Sequence, residues 1–164
     1  MKSKIAHNIK HRLRANDEFY TPRDLAEYLF SLVPTRDSDI IMDNAYGTGR
    51  FYFRGLKSKD FLKDNREVDW YITNPPYSLL DEWLEKSCEA KKGFAYLFGI
   101  NNLTPRRIEM CEKRGFYITK IHLCKVFKWF GISAFIVWEK SPENKLVEYD
   151  RKVWYQLKDK PNRS

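Results

Sequence analysis

Apolar positions along the chain switch between two spacings, and each switch marks an element. After Thr21-Pro22, the residues Leu25, Ala26, Leu29 and Phe30 recur every three or four positions, which predicts a helix behind a capping threonine that ends near Pro34. Ile40-Ile41-Met42 is a short unbroken apolar run and predicts a buried strand leading into a turn that carries Gly47 and Gly49. Trp70-Tyr71-Ile72-Thr73 predicts another strand, stopped by Pro75 and Pro76. Leu79, Leu80, Trp83, Leu84 and Cys88 then share the inner face of a helix. Residues 94–98 predict a further strand, Thr104-Pro105 opens a second helix after it, and Gly115 closes that helix. Two last strands are predicted over 117–124 and 132–139, with no helix between them. Strands alternating with helices predict a mostly parallel α/β sheet with helices on both faces, and the final pair an antiparallel hairpin at its C-terminal end.

Composition narrows this to one core. The 164 residues are 43% hydrophobic and 16% aromatic, enough material for a single domain and too much for a disordered chain. No apolar run approaches the roughly 18 residues of a membrane span, and the start is basic where a signal peptide is apolar, so a soluble, cytoplasmic protein is expected. Charge divides the chain into a basic arm over 1–16, a central domain over 17–140 and a basic extension over 141–164. With 30 lysines and arginines against 22 acidic residues, the net charge of +8 suits a polyanionic partner. The three cysteines are odd in number and widely spaced, and the three histidines form no ligand spacing with them. Neither a disulfide framework nor a metal site is expected.

Candidate chemistry sits at the carboxyl ends of two predicted strands, where open α/β sheets bind their ligands. Asp43 offers a carboxylate to an ammonium or hydroxyl group, and Gly47 and Gly49 allow a ligand close to the backbone. Asn74-Pro75-Pro76-Tyr77 is more specific. Two prolines remove two N–H donors and hold their carbonyls in set directions, so the Asn74 side-chain oxygen and the Pro75 carbonyl can grip both hydrogens of one amino group. Tyr77 supplies a flat face for a planar ring.

Asn74-Pro75-Pro76-Tyr77 resembles the catalytic tetrapeptide of class I S-adenosylmethionine-dependent amino methyltransferases, DNA adenine-N6 methyltransferases in particular. Further segments follow in the gamma-type order. Phe19-Tyr20-Thr21-Pro22 resembles the cofactor segment that precedes the glycine motif, and Asp43, Ala45, Gly47 and Gly49 resemble that motif itself. Asp60-Phe61 looks like the acidic motif that touches the cofactor adenine, and Phe127 looks like the aromatic residue that packs on a flipped base. The resemblance implies a Rossmann-like class I methyltransferase fold and S-adenosylmethionine as cofactor, held by these segments and by Asn74. It also implies methylation of adenine N6 in DNA, of the restriction-modification type, with Tyr77 and Phe127 stacking on the base. Methylation of RNA adenine or of a protein glutamine amide shares the tetrapeptide, and a non-catalytic nucleic-acid-binding subunit is the remaining alternative.

Two departures from the family pattern shape these expectations. The interval between Gly49 and Asn74 is too short for the usual elements, and no acidic residue lies between Phe51 and Lys59. The second strand and its ribose-binding carboxylate are therefore expected to be missing. About 25 residues follow the last predicted strand, so no target-recognition domain is expected there, and sequence specificity is expected to be low or to come from a second copy of the chain in a homodimer or from a specificity subunit.

Overall fold

The computed structural model describes residues 21–46, 51–125 and 131–144. These form helix α1 (Arg23–Ser31), strands β1 (Ile41–Asp43), β2 (Leu56–Lys57) and β3 (Trp70–Thr73), helix α2 (Leu80–Ser87), strand β4 (Gly93–Gly99), helix α3 (Pro105–Lys113), and strands β5 (Phe116–Cys124) and β6 (Ser133–Lys140). Single 3-10 turns cover Phe61–Lys63, Tyr77–Leu79 and Ile100–Asn102. The sheet order is β2-β1-β3-β4-β6-β5. Strands β2, β1, β3 and β4 run parallel to one another, whereas β6 runs antiparallel to both β4 and β5. The predicted parallel sheet with its terminal hairpin is the observed one.

The two-residue period of the strands divides the core. On one face Met42, Tyr71, Phe94, Tyr96, Phe98, Ala134, Ile136 and Trp138 pack beneath α2 and α3, with Leu80, Trp83, Leu84 and Cys111 facing them. On the other face Ile41, Trp70, Ile72, Ala95, Leu97, Phe135 and Val137 pack beneath Ala26 and Leu29 of α1. β4 is buried along its whole length because it is covered on both faces and paired on both edges.

Several local expectations change. Thr21 does not cap α1. Pro22 occupies the cap position without a side-chain bond, and Thr21 is itself buried. Thr104 does cap α3, its hydroxyl accepting from the Arg107 N–H at 3.4 Å. Ile40 and Leu79, expected to face inward, are 47% and 41% exposed, because β1 starts one residue later and the first turn after the prolines is 3-10.

The second strand, expected to be absent, is reduced to Leu56–Lys57, in register with Met42 and Asp43. Among the described residues between β1 and β2 there is no helix, and side chains brace the connection instead. The Arg54 guanidinium donates to the carbonyls of Arg36, at 2.6 Å, and Asp39, at 2.9 Å. Gly55 allows the approach: its φ is +89°, and a Cβ there would stand 2.2 Å from the Ile41 carbonyl oxygen. Gly55→Ala is therefore expected to destabilise the fold by about 2–3 kcal/mol through clash and backbone strain, read as a lower denaturation midpoint in urea.

At the opposite end of β1, Asp39 is buried and accepts from Lys92, from the Arg36 N–H at 2.9 Å and from the Trp70 indole N–H at 3.1 Å. Burial pushes this carboxyl up, and the bonds from Lys92, Arg36 and Trp70 pull it further down, so it sits below the usual 3.8. A depressed carboxyl contributes stability that is complete above its unfolded value and disappears as pH falls through its folded one. Acid unfolding should therefore steepen below pH 3.8, and Asp39→Asn should flatten that limb, as followed by tryptophan fluorescence.

Candidate functional site

The carboxyl ends of β1 and β3 are adjacent because the two strands pair directly, with Met42 opposite Tyr71. Asp43 and Thr73, 30 residues apart in sequence, thus meet at the carboxyl end of the sheet, and the tetrapeptide starts at the residue after Thr73. At the meeting point Asp43 is 3% exposed, and one of its carboxylate oxygens accepts from the Thr73 hydroxyl at 2.7 Å and from the Ala45 N–H at 3.3 Å. Burial pushes the Asp43 carboxyl above the usual 3.8, and the two donors only partly oppose it. A carboxylate held in this condition gains from any cationic or hydrogen-bond-donating ligand group.

Thr73 is the last residue of β3 and directly precedes Asn74, so its bond to Asp43 fixes where the tetrapeptide begins. Pro75 is buried, while Asn74, Pro76 and Tyr77 are half-buried. The Pro76 carbonyl accepts from the Leu79 N–H at 3.3 Å and starts the 3-10 turn. Tyr77 packs one side against the core beneath α2.

The next residue after Asp43 is tied more deeply. Asn44 is fully buried, and its Nδ2 donates to the Tyr96 hydroxyl at 2.9 Å. The Tyr96 hydroxyl also bonds Ser87, whose own hydroxyl donates to the Trp83 carbonyl at 2.5 Å. Burial keeps the Tyr96 phenol far above its usual 10, so it stays protonated and able to donate. The Asn44 Oδ1 is buried with no hydrogen-bond partner among the described residues, a cost of about 1–3 kcal/mol.

The edge beside β1 carries the remaining polar groups. The Ser58 N–H donates to the Asp43 carbonyl at 2.9 Å and the Tyr46 N–H to the Ser58 carbonyl at 3.2 Å, so β2 and the turn after β1 close on each other. The Lys57 ammonium lies over the rings of Tyr46, at 4.8 Å, and Tyr52, at 5.5 Å. Beyond β2 a cleft of about 470 Å³ is lined by residues including Ser58, Lys59, Asp60, Lys63 and Asp64. Asp60 is solvent-facing there, and its nearest ion-pair partner, Lys63, is 3.9 Å away. Phe61 is 1% exposed and wedged at 4.8 Å from both Tyr71 and Trp83, so its ring belongs to the core and this segment offers a ligand Asp60 and backbone.

The structure brings Asp43, Ala45 and the tetrapeptide together and puts Asp60 at the end of the strand next to β1. Phe19, Tyr20, Gly47, Gly49 and Phe127, together with the basic arm and most of the basic extension, lie outside the described residues. Arg106 and Arg107, basic positions at the start of α3, both bond Asp81 at 2.8 Å. Sequence reasoning missed Thr73, Asn44, Tyr96 and Ser87. Their signal is faint but real: each is a hydroxyl or amide at a position where burial would otherwise select an apolar residue.

Among the described residues no group of three or more histidine, cysteine or acidic side chains is placed to hold a metal ion, and no helix is long and apolar enough to cross a membrane.

The sheet order and its reversed hairpin define a Rossmann-like class I methyltransferase fold. PH1948 of Pyrococcus horikoshii, described as a putative RNA methyltransferase, superposes with a TM-score of 0.59 at 16% identity, over 74% of this chain and 86% of that one. Magnesium protoporphyrin IX methyltransferase from Synechocystis PCC 6803, solved with bound SAM, gives 0.57 at 10% identity, over 78% and 82%. In sequence, the chain is 32% identical over 99 residues to the type II methyltransferase M.EcoRI of Escherichia coli, a match spanning 60% of this chain and 27% of that enzyme. No family model matches.

Thr73→Val keeps the shape of the side chain and removes the hydroxyl donor from a buried carboxylate. It is expected to cost about 1–3 kcal/mol and to raise the Asp43 pKa further, read by carboxyl carbon chemical shift during an NMR pH titration.

Proposed function

We propose that the chain is an S-adenosylmethionine-dependent methyltransferase that modifies the exocyclic N6 of adenine in DNA. One observation carries the reading: Asn74-Pro75-Pro76-Tyr77 emerges from β3 directly beside the buried Asp43 carboxylate. The partial likeness to M.EcoRI supports a DNA substrate, and the net charge of +8 supports a polyanionic one.

The donor set fits the cofactor chemically. Asp43, destabilised by burial, answers a cationic or donating group of the cofactor, and the solvent-facing Asp60, which the resemblance puts at the cofactor adenine, is also free to answer its ribose hydroxyls. Asp60 in this role stands three residues beyond the stub β2, where the second-strand carboxylate of the family is otherwise lacking. Thr21, Pro22, Phe19, Tyr20, Ala45, Gly47 and Gly49 complete the proposed cofactor site. When bound, S-adenosylmethionine supplies an electrophilic methyl group on a sulfonium leaving group.

Asn74 and the Pro75 carbonyl then act on the acceptor. The amino nitrogen of adenine is a poor nucleophile because its lone pair is delocalised into the ring. Two acceptors on its hydrogens stabilise the positive charge that develops as the lone pair is withdrawn from the ring, an interaction stronger in the transition state than in the ground state. Positioning can supply up to about 7–11 kcal/mol in ideal cases. Once the methyl has moved and the thioether has left, the cationic amino nitrogen is strongly acidic and gives its surplus proton to solvent, so no histidine base is needed. An adenine in duplex DNA must leave the stack at a cost of a few kcal/mol, which stacking on Tyr77 and Phe127 offsets in part.

Transfer of labelled methyl to DNA, RNA and protein in parallel, followed by nucleoside analysis, tests this directly. N6-methyladenine in DNA is expected; label confined to RNA, to protein or to nothing refutes it. Asn74→Ala should abolish transfer while cofactor affinity stays within about tenfold. Cofactor affinity should also rise with pH through the elevated Asp43 pKa, above 3.8, because only the ionised carboxyl answers a cation, and Asp43→Asn should remove that dependence in titration calorimetry.

A further inference from the structure

The proposed reaction requires a methyl donor held after β1 and an amino acceptor held after β3 to keep a fixed separation. Backbone pairing of β1 with β3 covers only two residue pairs, Ile41 with Trp70 and Met42 with Tyr71, and stops short of both ligand-binding segments. Past that point the two segments are joined by side chains.

Asp43 bonds Thr73 on one route. The second route runs through the core from Asn44 Nδ2 to the Tyr96 hydroxyl, on to the Ser87 hydroxyl, and ends at the Trp83 carbonyl in α2, the helix that follows the tetrapeptide. Every donor on this route has one acceptor. Ser87 spends its proton on Trp83, so its oxygen receives the Tyr96 proton, and the Tyr96 oxygen is left to receive from Asn44. That order also fixes the Asn44 amide with its nitrogen toward Tyr96. Packing does not call for the hydroxyl. Tyr96 sits between Phe94 and Phe98 on the same face of β4, where a phenylalanine would fill the same space. The route reaches further, because Trp83 packs on Phe61, the residue beside Asp60.

We propose that Tyr96 is a positioning residue for methyl transfer, its hydroxyl holding the turn after β1 at a set distance from the helix behind Asn74-Pro75-Pro76-Tyr77. The inference rests on the methyltransferase reading and adds to it a residue that touches neither ligand. Without the hydroxyl, Asn44 loses the partner of its Nδ2 in addition to its unpaired Oδ1, and the turn that it anchors is free to shift. Small displacements in such a site cost rate steeply, up to about 100-fold for 1 Å.

The test compares Tyr96→Phe and Ser87→Ala with the unmodified chain, using cofactor Kd from calorimetry, kcat and KM for an adenine-containing duplex, and thermal unfolding. Tyr96→Phe is expected to weaken cofactor binding about fivefold or more and to lower kcat about tenfold or more, with the KM for DNA unchanged. Ser87→Ala cuts the route only on the helix side, and is expected to lower kcat while leaving cofactor Kd within twofold. A purely structural role would lower the unfolding temperature and leave kcat at the wild-type value in the folded fraction, and that result overturns the proposal. If Tyr96→Phe fails to fold, Ser87→Ala decides alone, and a wild-type kcat in it is fatal. An unmodified chain that transfers no methyl defeats the methyltransferase reading and this inference together, whereas an active chain matched by both variants defeats this inference only.

Discussion

Asp43 is a carboxylate taken out of water at the end of a three-residue strand, and the site is organised around the need to accommodate it. An isolated buried carboxylate is costly enough that it would protonate or drag the backbone to solvent. Here it is bonded by Thr73 and by the backbone of Ala45, which supports the charge without satisfying it fully. The same bond welds the end of β1 to the end of β3. Stability and site geometry therefore depend on one contact, and the carboxylate keeps the residual demand for a partner that a binding group requires.

The sheet is economical around that contact. A seven-residue central strand buried on both faces supplies most of the rigidity, and the hairpin of β5 and β6 seals one side of it. On the other side the fold is cut down. A two-residue strand stands beside β1, and its approach depends on a glycine with positive φ and on an arginine that ties three loop carbonyls. Side-chain bonds replace a crossover helix among the described residues. Each such bond contributes on the order of 1 kcal/mol, so this side is expected to open before the centre does.

The superposed methyltransferases act, by their names, on different substrates, which agrees with the separation between a fold and the site grafted on it. In the present chain the candidate site is local: the tetrapeptide, the paired ties from Asp43 and Asn44, and Asp60 beyond the stub strand. The match to M.EcoRI covers 60% of the chain and 27% of that enzyme, so it bears on the fold around the candidate site and leaves base selection as a separate problem from chemistry.

The strands and helices were legible in the sequence because burial on one or both faces writes itself as a two- or three-to-four-residue period. The tetrapeptide was legible because two prolines at a strand end have few structural uses. Asp43 could be named from its place before a glycine turn, and Asp60 from its resemblance to an acidic motif. The stub β2 was not legible, since Leu56–Lys57 is too short to show any period and pairs only because Gly55 lets it approach Ile41. The route from Asn44 through Tyr96 and Ser87 was equally hidden. Its members lie 52 and 9 positions apart, each looks locally like a stray polar residue in an apolar segment, and only the pairing of β4 with β3 and its packing beneath α2 decide that their hydrogen bonds are made to one another.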